Sequence, residues 1–214
     1  MIIRYPARSA FTALLFPLLL VLTSPDASEA ASVPGSLPRA DTPATPPAAV
    51  AAAHLSRADR ALLRALGLQD RAAAASGDAK ADKLEKSAMN AFRRAERAAG
   101  QAIASGADLN RALILRGTAR IHLGKGEGAR SDCFQAMFYG GNTVDAMDCY
   151  ARANLLLDMG ILALGVWSSF SEEGGLDPER GEALLQAIRQ WIAEDPTGEP
   201  QREAARWLAD RGHS

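Results

Sequence analysis

The stretch "LGKGEGARSDCFQAM" (residues 123–137) decides how this chain folds, because it sets Lys125 between Gly124 and Gly126. Such a lysine belongs either to a loop that cradles phosphate or to a corner between two helices. A phosphate loop needs a strand ahead of it, a glycine five residues before the Gly-Lys pair, and Ser or Thr after the lysine. Here "LNRALILRGTARIHLG" precedes it with helical spacing, Ala119 stands where the first glycine belongs, and Gly126 follows the lysine. The phosphate reading fails on all three points. The glycines are there because a tight helix-helix corner needs backbone freedom.

Apolar residues recur at intervals of three and four on both sides of that corner, and no alternating stretch is long enough for a strand. Upstream, "SRADRALLRALGLQDRAAAA" sets Ala58, Leu62 and Leu66 on one face. "SGD" at 76–78 then breaks the pattern, with Asp78 expected as a cap. Leu84, Ala88, Phe92, Ala95, Ala99 and Ile103 mark a long second helix, and Asp108 caps the third. Downstream of "EGARSDCFQAMFY", "GGNT" makes a corner with Thr143 as cap for a fifth helix, "VDAMDCYARANLLLDMG". "ILALGVWSSF" gives a sixth, Asp177 and Pro178 open a seventh over "ERGEALLQAIRQWIAE", and "QREAARWLADRG" is the last. Consecutive helices joined by short turns predict an all-α fold of antiparallel helical hairpins.

The first thirty residues do not fit that pattern. Arg4 and Arg8 precede the apolar run "AFTALLFPLLLVL", and Ser28 and Ala30 stand at positions that signal peptidase reads. This predicts a signal peptide over 1–30, because the run is shorter than the roughly 20 apolar residues of a membrane span. A Pro- and Ala-rich linker over 31–48 follows, then a helical domain over 49–214. With 24 Lys+Arg against 25 Asp+Glu, the charge gives no reason to expect nucleic acid or an anionic membrane as partner. The expected location is periplasmic or secreted, with no membrane span once the signal is removed.

Around the opening corner, Leu113, Gly117, Leu123-Gly124, Ala129, Phe134 and Ala136 stand at or beside the signature positions of a 34-residue helix-turn-helix unit. The chain resembles the tetratricopeptide repeat family. Ala151, Ala163 and Phe170 correspond one unit later to Gly117, Ala129 and Ala136; Ala95 and Ala102 correspond one unit earlier to Ala129 and Ala136. The family's usual proline at the end of a unit is replaced here by Gly141. The resemblance implies an α-solenoid of about two to three repeats plus C-terminal helices. It also implies a groove, lined by the first helix of each unit, that holds a peptide or protein partner. Carried over by register, Arg111, Thr118 and His122 would face that groove in one unit, and Asp145, Asp148 and Arg152 in the next.

Cys133 and Cys149 each lie eight residues from Gly141. On antiparallel neighbours that spacing puts both thiols about 12 Å from the turn, so a disulfide is expected in an exported chain. Trp167, Trp191 and Trp207, with Phe170, Leu184, Leu185, Ile188 and Leu208, are expected in a core between the last helices, a Trp left exposed being an interface candidate. His54, His122 and His213 are scattered, no Cys or His pair has ligand spacing, and neither a Ser-His-Asp set nor an HExxH helix occurs. Glu172, Glu173 and Glu179 are the acidic residues an envelope enzyme would draw on. No catalytic residue, cofactor or metal is therefore expected. The sequence predicts an exported helical-repeat protein that binds another protein as scaffold or assembly factor; an envelope enzyme or a small-molecule carrier on an irregular helical bundle is the alternative.

Overall fold

The computed structural model describes residues 47–140, 143–173 and 178–213, with the main chain only for 170–173. The expected signal peptide, and the linker as far as residue 46, lie outside the described residues. Pro47 already opens the first helix, its fixed φ suiting a first helical position. The helices are α1 (Pro47–Ala73), α2 (Asp78–Ala104), α3 (Leu109–His122), α4 (Gly126–Gly140), α5 (Val144–Leu156), α6 (Gly160–Glu173), α7 (Pro178–Glu194) and α8 (Glu199–Asp210). No strand occurs among the described residues, and the fold is all-α, built of helical hairpins. Among those residues no helix is long and apolar enough to cross a membrane.

Each helix packs on the next, and the odd-numbered helices also touch in succession: α1 on α3, α3 on α5, α5 on α7. Among the even-numbered helices only α6 and α8 meet. Helices of equal diameter arranged this way form two layers, and the layer whose members touch spans the shorter arc. The odd helices therefore form the inner side of a curved stack from α1 to α6, and the curve relaxes where α6 meets α8.

Small side chains set the spacing. Ala58, Ala65, Ala88, Ala95 and Ala99 are buried between α1, α2 and α3 around Phe92, Leu62 and Leu115. Gly117 is buried in mid-α3, and a Cβ there would lie 2.7 Å from Cys133 Sγ and 2.9 Å from Cys149 Sγ. The two cysteines are disulfide-bonded, with Cα atoms 5.6 Å apart, so α3 carries a glycine because the disulfide rests on its backbone.

Register is clearest in the middle. The helices α4 and α6 begin thirty-four residues apart, at Gly126 and Gly160. The corner after α3 turns on Gly124, with φ 70°, and thirty-four residues later Asp158 turns the corner after α5 with φ 61°. This corner ends α5 at Leu156, earlier than the run through Gly160 expected from sequence, because the Met159 amide donates back to the Asn154 carbonyl at 2.8 Å. Upstream the register lapses. Asn90, thirty-four residues before Gly124, lies inside the unbroken α2. The caps follow suit: Asp108 accepts from the Arg111 amide and Thr143 from the Ala146 amide, whereas Asp78 is the first residue of α2 and Gly77 occupies its cap position. Asp177 and Gly141 lie outside the described residues.

Candidate functional site

The inner layer carries the residues that register nominated. Arg111, exposed on α3, pairs with Asp59 of α1. Asp145 of α5 pairs with Arg180 of α7. On α5 itself, Arg152 Nε donates to both Asp148 oxygens at 2.9 and 3.0 Å. These pairs alternate in sign along the layer and join successive odd helices at two places. Thr118 lies half-buried on α3 between them.

His122 behaves differently. It continues the face that Leu115 and Ala119 press against α1 and α2, and its ring stacks on Phe92 with centroids 4.4 Å apart and planes 3° apart. Burial, helped by the Arg152 charge, pushes its pKa down to about 4, so the imidazole is neutral at ordinary pH. Its Nδ1 is buried with no hydrogen-bond partner. Packing therefore claims most of this side chain.

A second cluster ties the two layers together. Asp132 on α4 is 1 % exposed and accepts from Arg116 Nε at 2.9 Å and Nη2 at 2.7 Å. Arg120 Nη1 donates to the same carboxylate at 2.8 Å and to the Gly128 carbonyl at 3.2 Å, while its Nε donates to Glu96 of α2 at 3.0 Å. Lys125 Nζ donates to the other Glu96 oxygen at 2.6 Å. Burial raises the Glu96 pKa, but hydrogen bonds from Lys125 and Arg120, with their charges, outweigh it and hold the carboxyl below its usual 4.5. The lysine of the Gly-Lys-Gly corner thus anchors α2 to the α3–α4 turn. Sequence reading missed this network because its members are 12 to 29 residues apart across helices.

The tryptophans lie in the core between the last helices, as expected. Trp167 and Trp191 are buried and Trp207 half-buried. Trp207 meets Trp167 edge-on at 6.3 Å, with Arg211 over its ring. Among the described residues the exposed aromatics are Phe134 (55 %), Phe138 (78 %) and Tyr139 (61 %) of α4. Phe134 lies 6.0 Å from the half-buried Tyr150 ring of α5. A family signature draws attention to Phe134, but only the packing of α4 on α3 shows that it points outward.

Glu179 is exposed in the first turn of α7, while the side chains of Glu172, Glu173 and Phe170 lie outside the described residues. No group of three or more His, Cys, Asp or Glu is placed to hold a metal ion among the described residues. An open concavity of about 550 Å³ runs beside Asp82, Glu85, Lys86, Met89, Asn90 and Arg93; its described lining comes from one face of α2, so no groups converge on a ligand from opposing elements. Comparison with protein-family models, with curated proteins and with solved structures returned no match.

Proposed function

We infer that this chain is an exported scaffold of tetratricopeptide type, whose inner layer of odd helices binds a polypeptide partner in the cell envelope. The observation that carries the reading is the succession of contacts α1–α3–α5–α7 without matching contacts among α2, α4 and α6, which gives a curved stack with an inner face. Two further features support it. The corners at Gly124 and Asp158 repeat after thirty-four residues with the same left-handed backbone, the interval of that repeat. A buried disulfide suits an oxidising compartment.

The inner face offers both signs of charge in pairs, each exchangeable for a partner's charge. Arg111 and Arg152 would take carboxylates, Arg111 most readily because it is the most exposed. Affinity capture from envelope extract tests this, with the wild-type chain against the double variant Arg111→Glu/Arg152→Glu. A partner enriched by the wild type and lost with the variant supports the reading. Equal retention by both places binding elsewhere and contradicts it.

A further inference from the structure

Among the described residues, every aromatic ring more than half exposed to solvent stands on α4: Phe134, Phe138 and Tyr139. Phe134 and Phe138 lie one turn apart, on the helix face turned away from the buried Ala129, Cys133 and Ala136. Neighbouring rings support them. Phe134 lies against Tyr150 of α5, and Phe138 meets Tyr139 edge-on at 5.4 Å. Ser131 and Gln135 complete the face, the Gln135 amide donating to the Ser131 hydroxyl at 3.2 Å. The exposed positions from 131 to 139 therefore carry no charge. A single exposed leucine such as Leu63 of α1 is ordinary, whereas rings grouped on one uncharged face mark a contact surface.

We propose that this face joins two copies of the chain, α4 against α4, antiparallel about a two-fold axis at Phe134. Three observations carry the inference. The first is self-complementarity, since a two-fold contact needs a patch that matches itself. About an axis at Phe134, the residue one turn before it comes level with the residue one turn after it in the second copy. Those residues are Arg130 and Phe138. Each guanidinium then meets an aromatic ring of the other copy, a favourable pairing made twice, while the two Phe134 rings meet at the axis.

The second is charge. Arg130 already holds Glu127 at 3.6 Å, so it meets the ring as half of an ion pair. Glu127 itself comes level with the end of the other copy's α4 at Gly140, and no like charges on α4 are set opposite one another. The third is area. Three rings at these exposures, each with 150–250 Å² to bury, leave about 400 Å² open on one copy. Two copies present about 800 Å² of ring surface, and Arg130, Ser131 and Gln135 around it bring the contact toward the roughly 1,200 Å² at which specific interfaces begin. Pairing through the outer layer leaves both inner layers open, so the proposal is independent of what the inner face binds.

Residue 134 faces itself across the axis, which allows a test that a folding defect cannot imitate. In sedimentation equilibrium the full-length wild-type chain should dimerise with rising concentration. Phe134→Arg and Phe134→Glu should each weaken the dimer at least about tenfold, because each sets like charges face to face. An equimolar mixture of the two variants should recover it, because opposite charges then meet. Leu63→Ser on α1 should leave the wild-type dimer unchanged. A wild-type chain that stays monomeric at about 0.1 mM overturns the proposal and gives the face to a different partner. A dimer indifferent to Phe134→Arg, one dissociated by Leu63→Ser, or a variant mixture that stays monomeric also overturns it.

Discussion

The α1–α2 hairpin and the α3–α4–α5 centre solve the same packing problem by different means. Both bring helices close by placing alanine or glycine at the seam. In α1–α2 the fully buried part of the seam is mostly alanine, with Phe92 and Leu62 as its large members and Leu55, Leu66, Leu68 and Met89 partly buried against it, and no ion pair or disulfide joins the two helices among the described residues. A buried methyl contributes only about 0.8 kcal/mol, so this hairpin needs its 27-residue helices to gather enough contact. The centre uses helices of 13 to 15 residues and adds a disulfide resting on Gly117 and a buried carboxylate shared by two arginines. Short helices that approach closely bury too little apolar surface to hold one another; here covalent and ionic links supply the remainder.

Removing the carboxylate should have the largest effect. Asp132→Ala leaves Arg116 and Arg120 half-buried without their shared acceptor, and breaking one side of a buried pair costs about 3–5 kcal/mol. Urea denaturation should show that loss as a lower midpoint; a change below about 1 kcal/mol would reduce the network to surface decoration. An equivalent polar-to-alanine change on α1 or α2, such as Asp82→Ala, should move the midpoint by no more than about 0.5 kcal/mol.

The disulfide comes next. Reduction, or Cys133→Ala/Cys149→Ala, opens a loop of 16 residues and should cost about 3 kcal/mol. Gly117→Ala should cost about 1–3 kcal/mol in the oxidised chain, since its Cβ would meet both sulfurs. That penalty should shrink when the cysteines are alanine, and a double-mutant cycle measures the coupling. Additive effects would mean that Gly117 is not there for the disulfide.

His122 joins the two regions and gives the comparison a pH dependence. Its folded pKa lies below the ordinary 6.5, at about 4, so the unfolded chain takes up a proton first as the solution is acidified. Its contribution is full above pH 6.5 and is lost as pH falls toward about 4, amounting to at most about 3 kcal/mol. Glu96 acts lower: its carboxyl is held below 4.5, so stability present above that value drains as pH falls further. Chemical denaturation between pH 7 and 4 should show the first slope, and His122→Phe should flatten it. Among changes at the centre, the smallest effect belongs to Lys125→Ala. Its amine is half exposed despite pairing with Glu96, and such a pair contributes about 0.2–1 kcal/mol.

Local signals made the helices legible. Eight helices follow from the spacing of apolar residues, and the Asp108 and Thr143 caps from residue type alone. The disulfide followed from equal distances to one turn. The corner at Asp158 was hidden because an aspartate there does what Gly124 does openly: a left-handed residue that is not glycine leaves no mark in composition. The long α2 misled in the opposite sense, since Ala95 and Ala102 keep the repeat's spacing while Asn90 permits no turn. The Asp132 cluster, the packing of His122 on Phe92 and the outward turn of Phe138 all depend on which helix lies opposite, and no local pattern encodes that.

Native-state hydrogen exchange tests the contrast between hairpin and centre most directly, because it reads the opening free energy of each helix in one experiment. Amides of Leu113–Ile121, Ala129–Ala136 and Met147–Ala153 should exchange only through global unfolding, and those of α1 and the first half of α2 through cheaper local opening. Slower exchange in α1 and α2 than in α3–α5, or a single opening energy for all five helices, would contradict the account.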